Sequence, residues 1–116
     1  MPNTRAALPA YFTIASAETS SNLARYDGIR YGHKAEHKNI SELYLNTRSE
    51  GFGSEAARRV LMGTFVLSRD GYDAFFAQAQ KVRRLVAQDF EKAFQFCDVS
   101  IFFPPIFDDF IFCIRL

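Results

Sequence analysis

Apolar residues recur at helical spacing over most of this chain, and the polar breaks between the runs mark out its elements. The first run lies between Pro9 and Tyr26. Proline suits the first turn of a helix, where its missing N–H would be unpaired anyway, and Asp27-Gly28 supplies a stop. At about 100° per residue, Tyr11, Ile14, Ala15, Glu18, Ser21, Asn22 and Arg25 share one face of the predicted 9–26 helix. That face is apolar at its start and polar at its end. Such a face either lines a cleft or is a solvated stripe with i,i+4 pairs. Arg25 stands near the C-terminus, where a cation is favoured.

Residues 27–40 read as a loop with two glycines and both histidines. His33 and His37 are four apart, but no Glu or Cys partner has metal-site spacing, so no metal is expected. Ser41 is the expected N-cap of a short helix to about Glu50, with Leu43, Tyr44 and Thr47 on its apolar side. Gly51-Phe52-Gly53 breaks it. Ser54 is the expected cap of the next helix, whose stripe is Ala57, Val60, Leu61, Thr64, Phe65 and Leu67. Gly63 in mid-helix costs about 1 kcal/mol against Ala, which points to close packing with a neighbour.

Asp70-Gly71 is the expected separator before the longest helix, about Tyr72–Phe96, with Tyr72, Phe75, Phe76, Ala79, Val82, Val86, Phe90, Ala93 and Phe94 as its stripe. Arg83 falls inside that stripe and Asp89 on its flank. A buried charge there needs a partner or a ligand, unless it snorkels to water. After Cys97 the pattern changes. Asp98–Phe102 has the look of a strand, Pro104-Pro105 blocks helix and central strand alike, and the remainder is apolar without a period.

Composition adds limits. The chain has 116 residues, 48% of them hydrophobic, and a net charge of +1, which argues against a strong electrostatic nucleic-acid binder. Arg58-Arg59 and Arg83-Arg84 are too sparse for a basic patch and suit a solvated or cleft surface. Of thirteen Phe, seven fall in the last 23 residues, and there is no Trp. Cys97 and Cys113 have neither metal nor redox spacing, so two free thiols are expected. No secretory leader pattern and no run of about 18 apolar residues is present, so no membrane span is expected. Residues 1–8 precede the first helix so briefly that a cut within a larger protein is expected. Mainly helical structure, three to four helices, is the expected fold class.

One resemblance covers most of the chain. Ala17-Glu18, Ser20–Gly28 and Arg30-Tyr31-Gly32 are similar to the amidase-signature family, and within it to the glutamine-dependent branch that serves Glu-tRNA(Gln) and Asp-tRNA(Asn). The likeness continues through Thr47–Gly53, Arg58-Arg59, Gly63–Ser68, Gln80–Arg83, Asp89-Phe90 and Cys97-Asp98-Val99. It implies that residues 1–99 are part of an amidase-signature domain, a fragment of an α/β fold with a mixed sheet. Residues 100–116 form an unmatched Phe-rich tail, of the kind a shifted reading frame produces. The resemblance implies a parent that hydrolyses glutamine with a serine nucleophile and passes ammonia on to amidate a mischarged aminoacyl-tRNA. ATP and Mg would serve a partner subunit, leaving no cofactor in this chain. Other subunits, glutamine and, indirectly, tRNA are the implied partners, in a bacterial cytoplasm or an organellar matrix and without a membrane.

The family's Lys and two Ser lie in a Gly/Ser-rich segment upstream of the matched run. No Gly-Ser-Ser-Gly-type segment occurs here, so neither Lys81 nor Ser20 inherits those roles, and no catalytic residue is expected. By the same resemblance Arg25 corresponds to the arginine that grips the α-carboxylate of glutamine. Asp89 is the candidate for its α-ammonium, with Glu91 two residues on as the competitor. A fragment of a general amidase, and a small helical module that binds a protein partner through its tail, are the alternative readings.

Overall fold

The computed structural model of the chain describes residues 1–102 and 111–114, with side chains as far as Val99. A 3₁₀ segment, Pro2–Ala6, leads into α1, Ala7–Leu23. After a loop come α2, Ile40–Gly51, and α3, Ser54–Val66. The short α4, Arg69–Gly71, continues through a π-helical segment, Tyr72–Phe76, into α5, Ala77–Ala93. Two short strands, β1 (Val99–Phe102) and β2 (Ile111–Ile114), pair antiparallel with Val99 opposite Ile114. The described residues are therefore mainly α, as the periodicity predicts.

The cap or breaker residues expected at three boundaries differ from those observed, and neighbouring groups explain two of them directly. Asn39, not Ser41, caps α2: its Oδ1 accepts from the Glu42 N–H at 2.9 Å. The Glu42 carboxylate in turn accepts from the Lys38 N–H at 3.0 Å. Ser54 is the first residue of α3 rather than its cap; Gly53 holds the cap position and no side chain bonds there. Asp70-Gly71 does not divide two helices. Ser68 caps α4 by accepting from the Gly71 N–H at 3.2 Å, and Gly71 is buried where a Cβ would meet the Phe65 carbonyl oxygen. Glycine is needed there for space, not as a breaker.

α1 is the axis of the molecule and packs on both α3 and α5. Its buried residues, Ala10, Ile14, Ser16 and Ala17, are mostly small, which lets backbones approach closely. Gly63 is where α3 comes nearest: a Cβ there would strike the Ser16 carbonyl oxygen and lie 2.6 Å from the Ser20 Cβ. The close packing predicted for this glycine is thus observed. α5 runs antiparallel to α1, with Ala79 and Val82 against Ala10 and Ile14, and Asp89 level with Asn3. The segment 2–6, which the sequence leaves without a role, is tied down there. The Asp89 carboxylate accepts from the Asn3 N–H at 2.8 Å and from Asn3 Nδ2 at 3.0 Å.

The assembly is open. Its surface is 9015 Å², against about 6,400 Å² for a compact monomer of this mass. The radius of gyration is 19.1 Å, against about 13 Å for a compact domain of this length. Leu45, Leu61, Phe65 and Leu8 are among the large apolar side chains left exposed on the helices. Elements with two apolar faces have found a partner for only one of them.

Candidate functional site

The turn that follows α1 is the most constructed polar feature among the described residues. α1 ends at Leu23, three residues short of the predicted end, where its last carbonyls have an external donor. Arg48, projecting from α2, donates from Nη1 to the Leu23 carbonyl at 3.3 Å and to the Tyr26 carbonyl at 3.4 Å. A guanidinium at a helix C-terminus both satisfies unpaired carbonyls and opposes the negative end of the dipole. The Arg48 guanidinium also lies over the Phe52 ring, 4.7 Å from its centre, a cation–π contact that limits its freedom.

Downstream the chain reverses around Asp27. Its Oδ1 accepts from the Ile29 N–H at 2.9 Å and the Arg30 N–H at 3.2 Å, the Asx-turn pattern. Those backbone donors, Ile29 first, hold the Asp27 carboxyl below its usual value, and the Arg30 charge adds to the effect. Gly28 adopts φ +75° with Thr47 and the His33 carbonyl packed beside it, so only glycine makes this turn without strain. His33 Nε2 meets Glu50 Oε2 at 2.9 Å, joining the loop to the end of α2. His37 Nδ1 lies 3.1 Å from the Ala35 carbonyl. The two histidines thus have separate partners.

Arg25 stands between the two carbonyls that Arg48 holds. Its side chain is exposed and makes no hydrogen bond or ion pair with the described residues. Glu18, Ser21 and Asn22, which share its predicted face, are also at the surface or partly so. The buried edge of α1 is instead the Ala10–Ile14–Ala17 edge, one step round the helix, because that is where α3 and α5 approach.

Asp89 is elsewhere. It is buried and occupied by Asn3, in the 3₁₀ segment that precedes α1, whereas Arg25 lies beyond the end of α1. α1 has 17 residues, which at the α-helical rise is about 25 Å. The α-carboxylate and α-ammonium of one amino acid share a carbon, so this chain does not bring Arg25 and Asp89 to a single ligand. Glu91 is exposed on α5, toward the same end as Asp89. Arg83 is not buried and borders a groove with Ile14, Glu18 and Val86, as a snorkelling arginine does.

The other residues weighed from the sequence have structural surroundings. The Ser20 hydroxyl is 3.1 Å from that of Thr64 across the α1–α3 contact, and Lys81 is exposed on α5. Arg58 and Arg59 both pair with Glu55, at 2.8 and 2.9 Å, and the Arg59 bond lowers the Glu55 carboxyl from its usual value. Among the described residues no group of three or more His, Cys, Asp or Glu is placed to hold a metal, and no helix is long and apolar enough to cross a membrane. Arg48 and its two carbonyls are the part of the site that sequence reading missed. A polar residue of one helix bonding the end of another has no local pattern to announce it.

The order of motifs along the chain agrees with what comparison finds. The family model described as Amidase matches residues 1–108, and the chain belongs to that family. Its curated relatives include the A subunit of the glutamyl-tRNA(Gln) amidotransferase of Nitrosomonas eutropha, 56% identical over 100 residues that make up 85% of this chain and 21% of the relative. The protein of the same name from Azoarcus sp. is 57% identical over 100 residues, 85% of this chain and 20% of the relative. That from Caulobacter sp. is 58% identical over 101 residues, 87% of this chain and 21% of the relative. The chain thus spans about a fifth of the length of these relatives. The family match also runs past Val99, to residue 108.

Proposed function

We propose that this chain is the substrate-gripping segment of a glutamine-hydrolysing amidotransferase subunit, of the kind that supplies ammonia for converting Glu-tRNA(Gln) or Asp-tRNA(Asn) to the amidated form. Arg25 is its carboxylate clamp. The observation that carries this reading is an exposed guanidinium without a partner among the described residues, on a backbone fixed on both sides. Free glutamine differs from a peptide amide by its α-carboxylate and α-ammonium. A guanidinium can hold the carboxylate with two parallel hydrogen bonds, and so can present the side-chain amide to a nucleophile supplied by the rest of the subunit. Other subunits of a multi-subunit complex, and through them tRNA, ATP and Mg, are its proposed partners. The proposed setting is a bacterial cytoplasm or an organellar matrix.

Asp89, which the resemblance offers for the α-ammonium, is left out of this proposal, because in this chain Asn3 occupies it at the far end of α1 from Arg25. In a full-length subunit carrying this segment, Arg25→Ala should raise KM for glutamine and cost about 2–4 kcal/mol in kcat/KM, the range for breaking a buried charge-assisted pair. Amidation driven by free ammonia should survive, because it needs no glutamine. Unchanged glutamine kinetics, or equal loss of the ammonia-driven reaction, would remove Arg25 from this role.

A further inference from the structure

Resting on the reading of Arg25 as the clamp, we infer that Arg48 is the residue that positions it. The two carbonyls held by the Arg48 guanidinium belong to Leu23 and Tyr26. Leu23 is the last residue of α1, and Tyr26 follows Arg25 directly. Arg48 therefore pins the chain before and after the Arg25 Cα, across a stretch that is no longer helical.

Neither carbonyl is held by α1 itself in the way an interior carbonyl is. The Tyr26 N–H bonds the Leu23 carbonyl at 3.2 Å, which closes one tight turn, and Arg48 is the second donor to the same oxygen. Without that guanidinium, the turn would hang on the single backbone bond and on the Asp27 reversal two residues later. Arg48 is itself restrained by the Phe52 ring and by its place on α2, whose own cap at Asn39 fixes where the helix starts.

Arginine is required because of its shape. Its planar fork carries several donors and stacks on a ring, whereas a lysine presents one flexible ammonium without the flat face. A methionine fills the space without donating. The Phe52 contact and the two carbonyl bonds thus demand the same residue for different reasons. In this role Arg48 acts through the backbone that carries Arg25, by its bonds to the Leu23 and Tyr26 carbonyls.

The test uses the full-length amidotransferase carrying this segment, with Arg25→Ala, Arg48→Lys, Arg48→Met and the Arg25→Ala/Arg48→Met double variant. Glutamine-driven and ammonia-driven amidation are both measured. Misplacing a clamp by about an ångström costs up to about 100-fold, so Arg48→Met should raise KM for glutamine by about 10-fold or more, with ammonia-driven turnover unchanged. Arg48→Lys should recover part of that loss. In the Arg25→Ala background, Arg48→Met should add nothing further to KM, because residues acting through one another are not additive.

If Arg25→Ala alone leaves KM unchanged, the clamp reading fails. If Arg25→Ala raises KM but Arg48→Met has no effect, or an effect that multiplies with it, the clamp stands and the positioning role is overturned. If both Arg48 variants lose the ammonia-driven reaction as well, Arg48 serves the fold as a whole and the positioning role is likewise overturned.

Discussion

At the scale of single residues, the loop after α1 is held by short polar side chains rather than by apolar burial. Asp27 shows how far this goes. Its carboxylate takes two backbone N–H groups and sits beside Arg30 at 3.7 Å. A carboxyl lowered by folding contributes stability that is present above its unfolded pKa and is lost as pH falls through the lower, folded value. Order in this turn should therefore persist at neutral pH and decline only in acid below the ordinary carboxylate range. Hydrogen exchange of the Ile29 and Arg30 amides measures it. Asp27→Asn keeps an acceptor oxygen, so it should preserve protection at neutral pH and abolish the acid loss. Equal acid loss in that variant would place the responsible group elsewhere.

At the scale of elements, α1 and α3 meet through small residues, and the contact depends on Gly63. In an isolated helix Gly63→Ala would gain about 1 kcal/mol of propensity. Here the new Cβ meets the Ser16 carbonyl oxygen, which is backbone and cannot swing aside as a side chain would. Overpacking of this kind costs about 1–3 kcal/mol or more. Gly63→Ala should lower the melting temperature of a full-length subunit, and Gly53→Ala, with open space around its Cβ position, should leave it nearly unchanged. A stabilised Gly63→Ala would mean that the helices are not in van der Waals contact. The same approach explains why Ser20 and Thr64 share a hydroxyl contact across this interface.

At the scale of the whole molecule, the helices leave many large apolar side chains exposed. A chain with this surface area and so few buried large side chains among its described residues is expected to associate or to lose fixed tertiary packing when isolated. Sedimentation and near-ultraviolet circular dichroism of the pure chain should show association or weak aromatic signals beside a strong helical far-ultraviolet spectrum. A sharp cooperative melt as a monomer would instead favour an independent helical module. The pure chain should also release no ammonia from glutamine above the buffer rate, since Ser20 is engaged with Thr64 and Lys81 is exposed on a different helix. The Phe-rich stretch at 103–110 lies outside the described residues. Its expected effect on solubility is tested by deleting Ser100–Leu116, which should raise it.

The sequence alone determined the helices, because apolar periodicity and glycine punctuation are local and act over a few residues. It also determined the family, through ordered motifs that run nearly the length of the chain, and it marked Gly63 as a place of close approach. Local patterns failed where a nearby polar group took the amide first, as Asn39 did in place of Ser41, and where Ser68 carried the chain on through Gly71. Only the tertiary structure decided which face of α1 is buried, since neighbouring stripes of a helix compete until α3 and α5 choose one. It alone separated Arg25 from Asp89 by the length of a helix, and it alone put Arg48 on the end of α1. Those relations join residues 22 to 86 positions apart, and no spacing rule along a chain encodes the distance between the ends of a helix and its neighbour's side chains.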